Sequence, residues 1–273
     1  MATQQGNAQQ PAAIASGIRR IVLDQSYRAH VGHIGSALSV AEVVAAVWSQ
    51  LAAQGPDDPQ RDRFILAKGH AALALYAALY LRGWVSADQL STFCGDDSLL
   101  GVHPECQLSG VDFATGSLGQ GLSMGVGAAL AARWQGSPRR VFVVLSDGEC
   151  NEGAVWEAAM VAAHQRLANL IAIIDVNGQQ ALGYTREVLA LPAMAERWRD
   201  FGWDVHEVDG HNADALAATL AALDTGLGAP HVLLARTVLG KGVSYMEGQI
   251  KWHYWPMDAD EYATALGELE TTG

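Results

Sequence analysis

The stretch Val141–Gly183, VFVVLSDGECNEGAVWEAAMVAAHQRLANLIAIIDVNGQQALG, restricts the fold more than any other part of the chain. Val141 to Leu145 is a short apolar run rich in β-branched residues that stops at Ser146-Asp147-Gly148. An apolar run without alternation is the pattern of a parallel strand buried on both faces. Glu152 to Leu167 then carries apolar residues at helical spacing (Val155, Ala159, Ala162, Ala163, Leu167), and a second run, Leu170 to Ile174, ends at Asp175-Val176-Asn177-Gly178. Strand, helix and strand make a right-handed crossover unit whose strand ends deliver Asp147 and Asn177 side by side. Ligands of open parallel sheets sit outside the carboxyl ends of the strands, so a ligand site is expected at these two loops.

An Asp and an Asn there offer hard oxygen ligands to a small divalent cation. Magnesium fits, because it takes one or two protein oxygens and completes its octahedron with phosphate oxygens. The plainer reading is two ordinary turns, since Asp-Gly and Asn-Gly are both turn formers. With 17 basic and 29 acidic residues the formal charge is −12, which argues against nonspecific binding to nucleic acid or to an anionic membrane. Any diphosphate must then be held locally, by metal, backbone N–H groups and a few placed cations. The three cysteines, Cys94, Cys106 and Cys150, have no CxxC spacing, and this points to a reducing compartment without structural disulfides, consistent with the cytoplasm. The polar start MATQQGNAQQP lacks the basic and apolar parts of a signal peptide. Residues 1–12 are expected to be a mobile tail and 13–273 a single domain. No apolar run is long enough to span a bilayer.

In chain order, Ile14 to Tyr27 reads as an amphipathic helix. In the following AHVGHIGSALS, Gly32 and Gly35 bracket His33 and Ile34, which puts an imidazole on an exposed turn. Ser39 with Glu42 three residues on predicts a capping box opening a helix to about Ala53. Arg61 to Lys68 reads as a short strand before Gly69-His70, and the apolar stretch Ala71–Leu81 as a helix whose N-terminus favours an anion near His70. His103 sits in Gly101-Val102-His103-Pro104-Glu105, an extended or turned peptide. Each of these histidines taken alone has a bland reading, as a surface or a buried hydrogen-bonded residue. Thr115 to Gly127, TGSLGQGLSMGVG, opens an Ala-rich helix reaching Trp134. It lacks both the P-loop and the full dinucleotide spacing, and its glycines suit either a flat ligand or, at Gly125 and Gly127, packing against the sheet.

Asp147-Gly148 and Asn177, about thirty residues apart, resemble the thiamine diphosphate motif, with Ser146 in place of its first glycine and Val176 where many members have another Asn. The segments RFILAKGHAALALY, GVHPE, TGSLGQG, SDGECNEG with WEAAM, DVNGQQ and TVLGKGVSYMEGQIKWH occur in the order found in transketolases. The resemblance covers roughly residues 14–257 and implies an α/β fold: a doubly wound, mostly parallel sheet with helices on both faces, the diphosphate-binding domain of thiamine diphosphate enzymes. It further implies magnesium held by Asp147, Asn177 and the backbone carbonyl of Gln179, whose side chain should matter little. Cofactor contacts would come from His70, Gly116, Ser117, Leu118, Asp147, Gly148, Glu149, Asn177 and His253. His33, His70, His103 and His253 would face the ketose hydroxyls and move protons. Glu152 would share a proton across an interface, or simply be a helix N-terminal acid. Lys241 would neutralise phosphate, or be a solvated loop lysine.

A full transketolase continues into a domain that binds the aminopyrimidine, so the resemblance implies the N-terminal subunit of a split enzyme. Its partner would be a C-terminal transketolase subunit, in an α2β2 assembly, and its substrates sugars or sugar phosphates. Two other readings remain at this stage: a subunit of an α-keto acid decarboxylating component, and a cofactor-binding protein without catalysis.

Overall fold

The computed structural model describes residues 10–272. In chain order the elements are α1 (Pro11–Ala29), α2 (Ile34–Ser39), α3 (Ala41–Trp48), β1 (Arg63–Leu66), α4 (Ala72–Leu81), α5 (Ala87–Leu90), α6 (Gly121–Trp134), β2 (Val141–Ser146) and α7 (Gly153–His164). They continue with β3 (Leu170–Val176), β4 (Gln179–Gln180), β5 (Gly183–Tyr184), α8 (Thr185–Val188), α9 (Met194–Asp200), β6 (Asp204–Asp209), α10 (Ala213–Ala221), β7 (His231–Arg236) and α11 (Ala259–Thr272). Strands β1-β2-β3-β7-β6 form a parallel sheet in that order. A two-stranded antiparallel hairpin, β4-β5, follows the end of β3.

The unalternated apolar strands have the cause the sequence implies, since both faces of the sheet are covered. Phe142 and Val144 of β2, Ile171 and Ile173 of β3 and Leu233 of β7 pack into a core with α1, α3 and α4. Their neighbours Val143, Leu145, Ala172, Ile174, Val232 and Leu234 face the opposite way, into a core with α6, α7 and Trp198 of α9. Period-two side-chain direction thus divides each strand between two apolar layers. Burial of this kind contributes roughly 25 cal/mol per Å² of apolar surface removed from water.

Several local expectations need correction. Ser39 caps no helix: it ends α2, and its hydroxyl is 3.0 Å from the Ser36 carbonyl and 2.8 Å from Asp175. Glu42 is not the second half of a capping box, because Arg19 and His211 bind its carboxylate. The helix also stops at Trp48, short of Ala53. Pro11 and Ala12 belong to α1, with Pro11 in the first turn, where its missing N–H costs nothing; the remainder of the expected tail, residues 1–9, lies outside the described residues. Gly125 packs tightly on the sheet, where an added Cβ would lie 2.5 Å from Val143, whereas Gly127 faces open space.

Candidate active site

Parallel pairing sets Ser146 of β2 opposite Asp175 of β3, so both chains leave the sheet at the same level. Asp147 then accepts the N–H of Gly148 on Oδ1 (2.8 Å) and that of Gly178 on Oδ2 (2.7 Å), which joins the two loops. Ser146 needs no glycine-like backbone, since it is the last residue of a regular strand. Its hydroxyl accepts the Glu149 N–H at 3.1 Å. Burial, and then the nearby Asp175 carboxylate, push the Asp147 carboxyl up to about 7 against the two N–H groups and Lys68, which favour its charged form. Glu149 is also raised to about 7, by burial, although the N–H groups of Gly119 and Ser146 bond its carboxylate. Glu149 thereby ties the glycine-rich loop to the Asp147 loop.

Three of the four predicted histidines form one group. The ring centroids of His33 and His70 are 5.6 Å apart, those of His33 and His253 5.7 Å, and those of His70 and His253 5.2 Å. Tyr254, which the sequence did not single out, closes the edge at 4.9 Å from His253. Bringing residue 33 to residue 254 requires backbone against backbone. A Cβ on Gly32 would lie 2.0 Å from the Tyr254 carbonyl oxygen, so only glycine fits there. Gly69 does the same for the glycine-rich loop, with Gly116 N at 2.8 Å from where its Cβ would stand. The His103 ring lies over Gly116, and the His103 backbone carbonyl accepts the Tyr76 hydroxyl at 3.0 Å.

Burial disfavours the charged form of His33, His70 and His253. Burial lowers His253 to about 4, helped by His33 and Lys68. His70 is lowered well below its ordinary value by burial and then by the Lys68 charge, and His33 is lowered by burial and then by His103. The buried Nδ1 atoms of His33 and His253 and Oε1 of Gln179 have no hydrogen-bond partner within the chain. Buried polar atoms are nearly always paired, so a group able to bond them fits this place.

The remaining predicted residues divide. Ser117 and Leu118 are exposed on the glycine-rich loop. Glu152 is exposed at the N-cap of α7 and packs against Gly119. Lys241 is not brought to the histidines: it pairs with Glu247 at 3.1 Å in a cavity of about 880 Å³ lined by Arg19, Glu42 and His211. Gln179 departs from the expectation for its side chain, which is buried and donates to the Gly248 carbonyl at 2.7 Å. Sequence reasoning passed over Lys68 and Asp175, a fully buried ion pair at 2.5 Å. A lysine closing the apolar run Phe64–Ala67 and an aspartate closing Leu170–Ile174 were the available signals.

The family model for "Transketolase, thiamine diphosphate binding domain" matches residues 10–270. The chain belongs to the transketolase family. It is 39% identical over 263 residues to the 6-deoxy-6-sulfo-D-fructose transketolase subunit SqwG of Clostridium sp. (strain MSTE9), covering 95% of this chain and 96% of that protein. It is 40% identical over 254 residues to an apulose-4-phosphate transketolase subunit of Phocaeicola vulgatus, covering 92% and 90%. Among solved structures, transketolase from Campylobacter jejuni superposes with a TM-score of 0.87 at 28% identity, covering 94% of this chain and 43% of that one. The chain therefore spans about two-fifths of that transketolase and nearly all of the two named subunits.

The residues present suit the family's cofactor. No group of three or more His, Cys, Asp or Glu side chains is poised for a metal among the described residues. The oxygen set at the strand ends is one carboxylate plus neutral amide and carbonyl groups, which suits a hard cation sharing phosphate oxygens. Asp147, 5% exposed and pushed toward protonation, is a carboxyl that a divalent cation would compensate.

Proposed function

We propose that this chain is the thiamine diphosphate-binding subunit of a two-chain transketolase, moving a two-carbon ketol unit from a ketose to an aldehyde acceptor. The observation that carries this reading is the grouping of His33, His70 and His253 around a Lys68 charge that also acts on Asp147, in a chain whose relatives of matching length are named transketolase subunits. Three imidazoles side by side suit a polyhydroxylated donor, and they favour a ketose over an α-keto acid.

Asp147, Asn177 and the Gln179 carbonyl would hold Mg2+, with Gly148 and Glu149 shaping the loop around the diphosphate. His70 and His253 would donate N–H groups to diphosphate oxygens, and Gly116, Ser117 and Leu118 would flank the cofactor. When bound, thiamine diphosphate supplies the carbanion chemistry of the transfer. Because burial and Lys68 disfavour the charged forms of His70 and His253, each neutral ring would offer one N–H donor and one acceptor nitrogen, the acceptor able to take a proton at a ketose hydroxyl and return it later. His103, on its loop over Gly116, and His33 would face the ketose hydroxyls and take part in moving protons there. Glu152, at the exposed start of α7, would serve at an interface between copies.

The partner would be a C-terminal transketolase subunit in an α2β2 assembly, acting in the cytoplasm on sugars or sugar phosphates. Val102, Leu118, Tyr254 and Trp255 are exposed apolar residues on the segments that carry the site, as a surface covered by such a partner would be. Mixing the purified chain with a C-terminal transketolase half tests the reading. Ketol transfer should appear only in the mixture, and robust transfer by this chain alone would overturn it.

A further inference from the structure

Asp175 lies at the centre of a hydrogen-bonded network whose core, with Lys68 and Ser39, is closed to water. Lys68 Nζ is 2.5 Å from its Oδ2, and both side chains are fully buried. The same oxygen receives the Ser39 hydroxyl at 2.8 Å and the Asn177 side-chain N–H at 2.7 Å, while Thr237 donates to Oδ1. Lys68 also donates to the Ser36 carbonyl at 3.2 Å. Taking an ion pair wholly out of water is a weak means of stabilisation, because desolvation offsets the attraction. Its place in the fold suggests a different use.

The Asn177 amide has one oxygen and one nitrogen of nearly the same shape, and only its surroundings decide which is turned where. Here every bond to Asp175 arrives from a donor. The Asn177 Nδ2 is therefore drawn to Asp175, and Oδ1 is turned away, where it accepts the Gln179 N–H at 2.9 Å and keeps a second lone pair. Lys68 makes this choice one-sided by placing a cation against the carboxylate. We propose that the Lys68–Asp175 pair is a positioning device for the metal site, holding the Asn177 amide so that oxygen and not nitrogen is offered to the cation. The inference rests on the reading of Asn177 as a magnesium ligand.

The test is calorimetric titration of Mg2+ into the two-chain assembly with thiamine diphosphate present. Asp175→Asn alone strands the buried Lys68 charge and risks misfolding, so the working variant is Lys68→Met with Asp175→Asn, which keeps the interior neutral. Its melting temperature without metal should stay close to wild type, and its Mg2+ affinity should fall on the order of 10- to 100-fold. Adding Asn177→Asp, which has oxygen at both positions, should restore most of that affinity, whereas Asn177→Asp in the wild-type background should bring no gain. Thr237→Val, which removes a different partner of Asp175, should lower stability and leave Mg2+ affinity in place. Wild-type affinity in the double variant, or an equal effect of Asn177→Asp in both backgrounds, would overturn the positioning role. Unchanged affinity in Asn177→Ala would instead remove the ligand assignment beneath it, and the proposal with it.

Discussion

Asp147 and Gly178 are joined by a 2.7 Å hydrogen bond from the Gly178 N–H to the carboxylate, so two loops about thirty residues apart in the chain form one rim. The bond fixes the orientation of the carboxylate, and Asp147 is the only acidic side chain among the residues proposed to bind the ion directly.

Asp147→Ala is accordingly expected to weaken magnesium-dependent thiamine diphosphate binding on the order of a hundredfold or more, since the ion would be left with neutral protein ligands. Calorimetry on the assembly measures this directly. Unchanged affinity in the variant would remove the metal assignment.

His103→Ala should leave cofactor affinity nearly intact and lower kcat on the order of 10²–10⁴-fold, because a group placed on a reacting hydroxyl acts mainly on the rate. Steady-state kinetics on the assembly, set beside a cofactor titration, separates the two. Full turnover in the variant would take His103 out of the reacting group.

The stability of the unliganded chain should carry the signature of neutral histidines. His253 is lowered to about 4 in the fold by burial, His33 and Lys68, against an ordinary value of 6.5. Between these values the unfolded chain binds more protons, so stability rises with pH in that window and is lost as pH falls from about 6.5 to about 4. Asp147 and Glu149, raised to about 7, act with the opposite sign over much of the same range. The clean measurement is a difference: wild type should lose stability relative to His253→Asn by on the order of 3 kcal/mol on going from pH 7 to pH 4. Parallel melting curves across the range would contradict the buried, neutral imidazole.

Glu149 offers a prediction about loop order. Its buried carboxylate accepts the Gly119 N–H at 2.8 Å. Glu149→Gln keeps an acceptor and the volume, and should cost less than about 1 kcal/mol near neutral pH, whereas Glu149→Ala strands a buried N–H and opens a cavity, costing about 2–4 kcal/mol. Urea denaturation distinguishes them. Equal losses would mean that the bond to Gly119 is unimportant.

Much of this was legible in the residues. Buried strands read true because Val141–Leu145 and Leu170–Ile174 are apolar on both faces, and the turn residues after them fixed where the loops begin. Helix boundaries around Ser39 were misread because local capping chemistry competes with distant partners. Asp175, 136 residues away, binds the Ser39 hydroxyl, and Arg19 and His211 bind Glu42. His33, His70 and His103 were found one at a time from neighbouring glycines and proline, and His253 from the family resemblance, yet their grouping is a tertiary fact that no window of sequence contains. Lys241 stayed open between two readings for the same reason, since a lysine between two glycines looks alike beside a phosphate and beside Glu247, its partner in the fold.

The close passage of Gly32 beneath the Tyr254 carbonyl also bears on when the site comes into being. Two segments more than two hundred residues apart must meet before His33 and His253 face each other. Contacts of such long range form late, after local structure has repaid part of the entropy of closing the loop. During synthesis, the residues of strands β1 to β3 and of the Asp147–Gly178 rim are made before His253, so the imidazole group can assemble only after them. A nascent or truncated chain lacking residues 250–255 would carry the oxygen rim without its histidine partner.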